Sequence, residues 1–312
     1  MRKILITGGF GYIGSVLVKK LLEDDYNQVT VLDNLSHRQI GSIFDLSNPR
    51  LELINGDVRN ESILNNAVKF QDVIIPLAAI VGAPACDKYK EEATDINYVQ
   101  IKNIADQLCR DQMLIMPNTN SQYGSSKEII TEESAQKPLS HYAETKCLAE
   151  GEILRVGGIA LRLATVFGLS PRMRMDLLVN DFTYKAYVDG YLVLFESQFK
   201  RNYIHIQDVA SAFMFMIDNY SKCKGKVYNV GLSNANLNKR ELAELIKKQL
   251  PNLVIQEAEF KTDADKRDYI VSNDKIRALG WRPEFSLEVG IHELLKAYPI
   301  IKNFNDRNFT NL

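Results

Sequence analysis

The chain is poor in the residues that build metal centres and disulfide scaffolds. Its four cysteines (Cys86, Cys109, Cys147, Cys223) are scattered, with no C-x-x-C pair, so neither a disulfide framework nor a zinc site is signalled. The four histidines (His37, His141, His205, His292) are equally dispersed, which points away from metal chemistry. An excess of either charge is also missing. A formal net charge of −1 gives no reason to expect nucleic-acid binding or attraction to a membrane surface. Long hydrophobic runs are absent too: the apolar stretch 73–85 is broken by Pro76, Gly82 and Pro84 and cannot span a bilayer. In the opening MRKILITGG, basic residues precede an apolar run far too short for a signal peptide, so a cytoplasmic location is expected.

What is present is an ordinary globular composition, 46% hydrophobic and 25% charged over 312 residues. That length suits one large α/β domain with a smaller appended lobe. Residues 7–14 read TGGFGYIG, directly after Ile4-Leu5-Ile6 and directly before Ser15-Val16-Leu17-Val18. A strand, a glycine turn and a helix start in that order can cradle a dinucleotide pyrophosphate. Gly8 permits the tight turn, Gly11 lets the backbone approach the phosphates with Tyr12 and Ile13 beside it, and Gly14 allows close helix packing. A second strand ends in Asp33, followed by Asn34, about 20 residues after the glycines, where a carboxylate can bind the ribose 2′-hydroxyl. The same carboxylate repels the 2′-phosphate of NADP, so the expected cofactor is NAD; His37 and Arg38 are expected in a solvated loop.

The first half alternates strand-like segments (3–7, 28–33, 51–55, 72–77, 113–118, 159–164) with helical ones (15–23, 62–70, 92–110, 142–155). This rhythm predicts a Rossmann-type, doubly wound parallel α/β sheet with helices on both faces. Ligands bind such sheets at the carboxyl ends of the strands. Beyond Gly168 the expected elements are helix 176–188, strand 203–205, helix 208–219, strand 227–230, helix 238–250 ended by Pro251, and one more helix before Tyr298. The division expected is an NAD-binding domain of 1–167 and 203–232, with a smaller interleaved C-terminal lobe of 168–202 and 233–312 for substrate.

Tyr142-Ala143-Glu144-Thr145-Lys146 is Y-x-x-x-K on an expected helix, which puts both side chains on one face. A free tyrosine is too weakly acidic to serve as a base at neutral pH. A neighbouring ammonium, helped by a positive nicotinamide ring, would favour the phenolate, whereas burial alone pushes the other way. The partner segment is Asn118-Thr119-Asn120-Ser121-Gln122-Tyr123-Gly124, at the end of an expected strand. A hydroxyl there meets Tyr142 across the sheet edge.

Together the glycine turn, Asp33, the strand-end hydroxyl and Y-x-x-x-K resemble the extended short-chain dehydrogenase/reductase family, the NAD-dependent nucleotide-sugar epimerases and dehydratases. The resemblance runs over essentially the whole chain. Gly56-Asp57-Val58 is similar to that family's adenine-binding turn, and Leu77-Ala78-Ala79 to its segment along the cofactor, with Pro76 where a histidine is common. Asn97 matches the family's helix asparagine, Arg201-Asn202-Tyr203-Ile204-His205-Ile206 its R-D-Y-I-H-V strand, and Leu279-Gly280-Trp281-Arg282-Pro283 its L-G-W-x-P ending.

The alignment implies Thr119 as the catalytic hydroxyl, with Ser121 as the competing candidate, and hydride removal from a sugar carbon, usually C4. Tyr142 would take the hydroxyl proton and Lys146 would also hold the nicotinamide ribose. Asn120 and Ser121 stand where 4,6-dehydratases carry Asp-Glu, and neither can expel water. No cysteine lies beside Thr119; Cys109 and Cys147 are expected as buried structural residues on helices. For substrate, the resemblance implies Arg201, Arg267 and Asn180 at the nucleotide diphosphate, and Arg172 and Arg174 of SPRMR add two cations, or else form an exposed basic turn. Thr165 replaces the asparagine of many C4 epimerases and hints at a different sugar.

PNTNSQYG, LRLATVFGLSPRMRMDLLVNDF and KRDYIVSN resemble the GDP-heptose 4-dehydrogenases of bacterial capsule clusters. This implies oxidation of GDP-D-glycero-D-manno-heptose to its 4-keto form in surface polysaccharide biosynthesis. A 4-epimerase that re-reduces its own ketone, like the UDP-glucose enzymes, is the alternative, and a non-catalytic NAD-sensing protein a third reading. The resemblance also implies a homodimer through helices 92–110 and 142–155, with no nucleic-acid or membrane partner.

Overall fold

The computed structural model describes residues 1–37, 40–258 and 267–301; Arg38 and the last part of the expected lobe, 302–312, lie outside the described residues. Seven strands form one parallel sheet: β1 (Arg2–Thr7), β2 (Asn27–Asp33), β3 (Leu51–Asn55), β4 (Val73–Pro76), β5 (Met113–Thr119), β6 (Ile159–Leu163) and β7 (Val227–Val230). Their spatial order is β3-β2-β1-β4-β5-β6-β7, with every pairing parallel. The expected strands are found within one residue at each end, because short runs of Val, Ile and Leu bounded by turn residues suit a strand covered on both faces.

Alternation along each strand divides the core. Ile4 and Ile6 of β1 face the layer holding Leu17, Val209 and Phe213, whereas Leu5 faces the layer holding Leu64, Ile104 and Ile153. Helices Tyr12–Leu22 and Ile206–Asp218 therefore cover one face, and Glu61–Val68, Gln100–Gln107 and His141–Arg155 cover the other. The strand order reverses between β1 and β4, so the crevice where such sheets bind ligands opens at the ends of β1 and its neighbours.

Three expectations are corrected. The single helix 92–110 is three pieces: an α-turn Lys90–Thr94, a π-helical turn Asp95–Val99 and helix Gln100–Gln107. Cys109 follows that helix and is exposed, and Cys147 is half-buried on its helix; the buried thiols are Cys86 and Cys223. Segments read as loops contain short strands. Thr165–Phe167 and Asn236–Asn238 flank Lys200–His205 in a separate three-stranded sheet, Tyr191–Leu194 pairs with Val254–Glu257, and Ile129–Ile130 pairs with Ile270–Val271. The chain thus leaves the main sheet after Leu163 and returns to it at Val227. Helix Leu178–Asp189 packs on helix Leu287–Ile301. Among the described residues no helix is long and apolar enough to cross a membrane.

Candidate active site

The glycine turn is as bare as its sequence requires. Gly8 has φ +66°, and a Cβ there would lie 2.7 Å from the backbone nitrogen of Ala78. At Gly14 a Cβ would come within 2.6 Å of the carbonyl oxygens of Gly8 and Gly9, so any side chain would separate the helix from the turn. Gly11 donates its N–H to Gly8 O (3.0 Å) and accepts from Ser15 N, which starts the helix. A cradle that a Cβ would fill, beside a buried strand-end carboxylate, fits a dinucleotide.

Asp33 is buried and accepts the backbone N–H of Phe10 (3.1 Å) and of Leu35 (2.9 Å), which ties the end of β2 to the glycine turn. Burial raises its carboxyl above the usual range, opposed by those two bonds and by Arg172. Asp57 accepts a two-pronged contact from Arg59 (3.0 and 2.8 Å), which holds it down at about 2, and Asn34 donates to it at 3.5 Å. Val58 packs into the core one residue on.

The segment after β4 is fastened from both sides. Leu77 and Ala78 donate backbone N–H groups to Thr7 (2.9 and 3.3 Å), and Gln100 donates to Ala78 O (3.0 Å). Asn97 both accepts from Ile80 N and donates to Ile80 O, each at 2.9 Å, and reaches Thr145 at 3.3 Å. The π-helical turn carries Asn97 to this position. Ala79 is thereby held between the end of the sheet and the Tyr142 helix.

Thr119, Tyr142 and Lys146 are brought together at the end of β5. Tyr142 lies close enough to Thr119 for that hydroxyl to act on its phenol, and Ser140 caps the helix of Tyr142 and Lys146 by accepting Ala143 N. Burial pushes the phenol up to about 12; the Cys86 thiol adds to this, and Arg174, Arg267 and Thr119 oppose it. Burial dominates, and Lys146 is not among the groups that act on the phenol. Lys146 itself is buried and drawn down to about 8, with Cys86 and Glu150 resisting. Ser121 stands behind Thr119 and accepts its hydroxyl proton at 2.9 Å. Cys86, unnoticed in the sequence, sits beside this group; burial raises its thiol to about 11, which keeps it neutral.

The SPRMR segment is no exposed turn. Ser170 donates to Tyr12 O (2.7 Å), the Tyr12 hydroxyl donates to Gly168 O (2.8 Å), and Arg172 and Arg174 are both buried. Arg174 makes a two-pronged contact with Asp176 (3.1 and 2.5 Å), close enough to Tyr12 and Tyr142 for its charge to act on both. The charge of Arg172 acts on Asp33 and, together with that of Arg174, on His37. Asn180 is fully buried, accepting Gly168 N and donating to Tyr12 Oη and Arg174 O, so its amide braces this segment against the glycine turn. Arg201 is buried over the Tyr269 ring, two residues after Arg267, and Arg267 reaches Ser121.

A network that sequence reasoning missed underlies Lys146. Asn118 donates to Lys146 O (3.2 Å) and to Glu150 (2.9 Å), and Glu150 pairs with Arg162 at 2.5 Å in full burial. Arg162 also donates to Tyr123 Oη (2.7 Å), which donates to Asn229 (2.7 Å). An arginine inside the apolar strand Ile159–Leu163 was the available signal.

The profile of the NAD dependent epimerase/dehydratase family matches residues 4–231. Human dTDP-D-glucose 4,6-dehydratase is 25% identical over 322 residues, covering 95% of this chain and 90% of that protein. UDP-glucose 4-epimerase of Halalkalibacterium halodurans is 25% identical over 319 residues, covering 91% and 92%. Among solved structures, a mutant of UDP-glucuronic acid 4-epimerase from Bacillus cereus, in complex with a fluorinated UDP-sugar and NAD, superposes with a TM-score of 0.87 at 22% identity, covering 96% of this chain and 99% of that one. The chain belongs to the NAD-dependent epimerase/dehydratase family and is an NAD-dependent enzyme of the extended short-chain dehydrogenase/reductase type.

Proposed function

We propose that this protein oxidises C4 of a nucleotide-activated sugar, with Tyr142 as the base. The observation that carries the reading is the Tyr142 phenol set beside the Thr119 hydroxyl at the carboxyl end of β5, on one helix with buried Lys146. Bound NAD supplies the hydride acceptor. Gly8, Gly11, Tyr12, Ile13 and Gly14 would hold its pyrophosphate, Asp33 and Asn34 a ribose, and Asp57 and Val58 the adenine. Leu77, Ala78 and Ala79 would line its path, with Asn97 fixing them, and Lys146 and Tyr142 would hold the nicotinamide ribose.

Thr119 orients the C4 hydroxyl and Tyr142 Oη takes its proton. Arg201 and Arg267 bind the diphosphate, whose charge suits a guanidinium fork. Arg174 stands closest to Tyr142 among the SPRMR cations, whereas Arg172 acts from the ribose side and Asn180 through its brace. Asn120 and Ser121 carry no acid to drive loss of water, so the reaction stops at the ketone or returns from it.

Return from the opposite face makes a 4-epimerase, the reading that relatives bearing that name support. Release makes a 4-dehydrogenase. The resemblance of PNTNSQYG and KRDYIVSN supports that second reading, with GDP-D-glycero-D-manno-heptose as substrate.

The test is product mass after incubation with NAD and, separately, GDP-heptose, GDP-mannose and UDP-glucose. Loss of two hydrogens with reduced nicotinamide identifies a dehydrogenase; unchanged mass with a new sugar isomer identifies an epimerase. Tyr142→Phe should slow turnover by about 10²–10⁴-fold with NAD still bound. Full turnover in that variant would sink the mechanism.

A further inference from the structure

The hydroxyls at the end of β5 form a chain that ends on a cation. Thr119 Oγ1 donates to Ser121 Oγ (2.9 Å), and the Ser121 N–H donates back to Thr119 Oγ1 (3.1 Å). The Arg267 guanidinium donates to the same Ser121 Oγ, and Tyr142 meets Thr119 at the other end. Arg267 is placed there by its neighbour. Asp268 donates its N–H to Ser125 Oγ (3.1 Å), accepts Ser126 N at its carbonyl (2.9 Å) and accepts Lys200 N at its carboxylate (2.9 Å). The segment bearing Arg267 is therefore stitched to the loop that follows Thr119.

We propose that Ser121 is a positioning residue that couples Arg267 to Thr119 and Tyr142, so that the guanidinium supports the ionised phenol through a chain of hydroxyls. The proposal rests on the reading of Tyr142 as the base.

The donor count makes the chain directional. Ser121 Oγ accepts from Thr119 and from Arg267, which engages both of its lone pairs and leaves its own hydrogen available. A neutral Tyr142 can donate to Thr119. Once its proton has left to solvent, the phenolate can only accept. Thr119 then turns its hydrogen to the phenolate, and Ser121 turns its hydrogen to Thr119, while Arg267 continues to donate to Ser121. Every bond now points toward the negative oxygen, with a cation at the head, the arrangement in which hydrogen bonds strengthen one another. Apart from the departing proton, only hydroxyl hydrogens rotate. A guanidinium has five N–H donors, so the contact on Ser121 does not by itself exhaust them.

The charged and titratable groups around Tyr142 are Cys86, Arg174, Arg267 and, on its own helix, Lys146. Cys86 is a neutral thiol and Arg174 is engaged by Asp176. Arg267 alone among them bonds, in the described residues, to the hydroxyl pair beside the phenol.

The experiment is the pH dependence of single-turnover hydride transfer at saturating NAD and nucleotide sugar, followed by nicotinamide absorbance. Ser121→Ala should move the acid limb up by about one pH unit, whereas Ser121→Thr, which keeps the hydroxyl, should leave it in place. Arg267→Gln should move it similarly, and the double variant no further, since both cut one chain. A slower Ser121→Ala enzyme with an unmoved limb, or shifts that simply add, would overturn the coupling while leaving Tyr142 as base. No hydride transfer even in the unaltered protein would overturn the functional reading and the coupling with it.

Discussion

Two arginines near the Tyr142 helix, Arg162 and Arg172, are buried to a similar degree and are held in opposite ways. Arg162 meets Glu150 through two bonds (2.5 and 3.0 Å) and donates further to Tyr123 and to the Glu132 carbonyl. Burial works against its charge, but Glu150 and Tyr123 more than offset this and hold the guanidinium above its ordinary range. Arg172 is drawn down to about 10, first by burial and then by the like charge of Arg174, with Asp176 and Asp33 countering only in part. Burial alone therefore does not separate structural from functional charge. A carboxylate in two-pronged contact closes an ion pair, at Arg162 as at Arg174, whereas the crowding of Arg172 by the like charge of Arg174 makes a place that favours an anion.

Removing Glu150 should have the largest effect. Glu150→Ala leaves the Arg162 charge buried without its carboxylate and should cost about 3–5 kcal/mol in denaturant unfolding. The double variant Glu150→Leu with Arg162→Leu should recover much of that loss, because no lone charge remains. Should Glu150→Ala cost under about 1 kcal/mol, the pair is not closed and the contrast with Arg172 disappears.

Arg172 should behave in the opposite sense. Arg172→Leu removes a charge that burial and Arg174 both disfavour, so stability should hold or rise. The same change should weaken NAD binding about tenfold, roughly 1.4 kcal/mol, because the Arg172 charge acts at the Asp33 end of the glycine turn. Nucleotide-sugar affinity, measured by calorimetry, should be unmoved. A loss on the sugar side would instead place Arg172 with Arg201 and Arg267.

The contrast also explains what the sequence revealed. The glycine turn, Asp33 and the Tyr142–Lys146 pair lie within short windows, where spacing alone dictates geometry. β7 was legible at both ends because four buried apolar and amide positions sit between a glycine turn and Gly231. Glu150 and Arg162 are twelve residues apart, on a helix and a strand, and only the fold brings them together. Arg267 reaches Ser121 across 146 residues, which no local pattern encodes. The short strands Thr165–Phe167 and Ile129–Ile130 escaped notice because two or three residues carry no period. Asn97 was found by resemblance, but the π-helical turn that aims it left no mark in the apolar spacing.

A surface pair supplies the smallest test, between the two buried extremes. Arg59 grips Asp57 with two bonds and holds its carboxyl at about 2, below the usual 3.8, while both side chains stay partly exposed. A depressed carboxyl contributes stability that is fully present above its unfolded value and is lost as pH falls through the folded one. Solvent screening should limit that contribution to about 1 kcal/mol or less, well short of the Glu150–Arg162 pair. Asp57→Asn should therefore reduce stability slightly at neutral pH. The gap to the unaltered protein should narrow as pH drops from about 4 toward 2, and it should shrink in high salt. A gap that stays constant over that range would mean that Asp57 acts through the Arg59 and Asn34 hydrogen bonds as a neutral acceptor, and that its charge adds nothing to the turn that carries it.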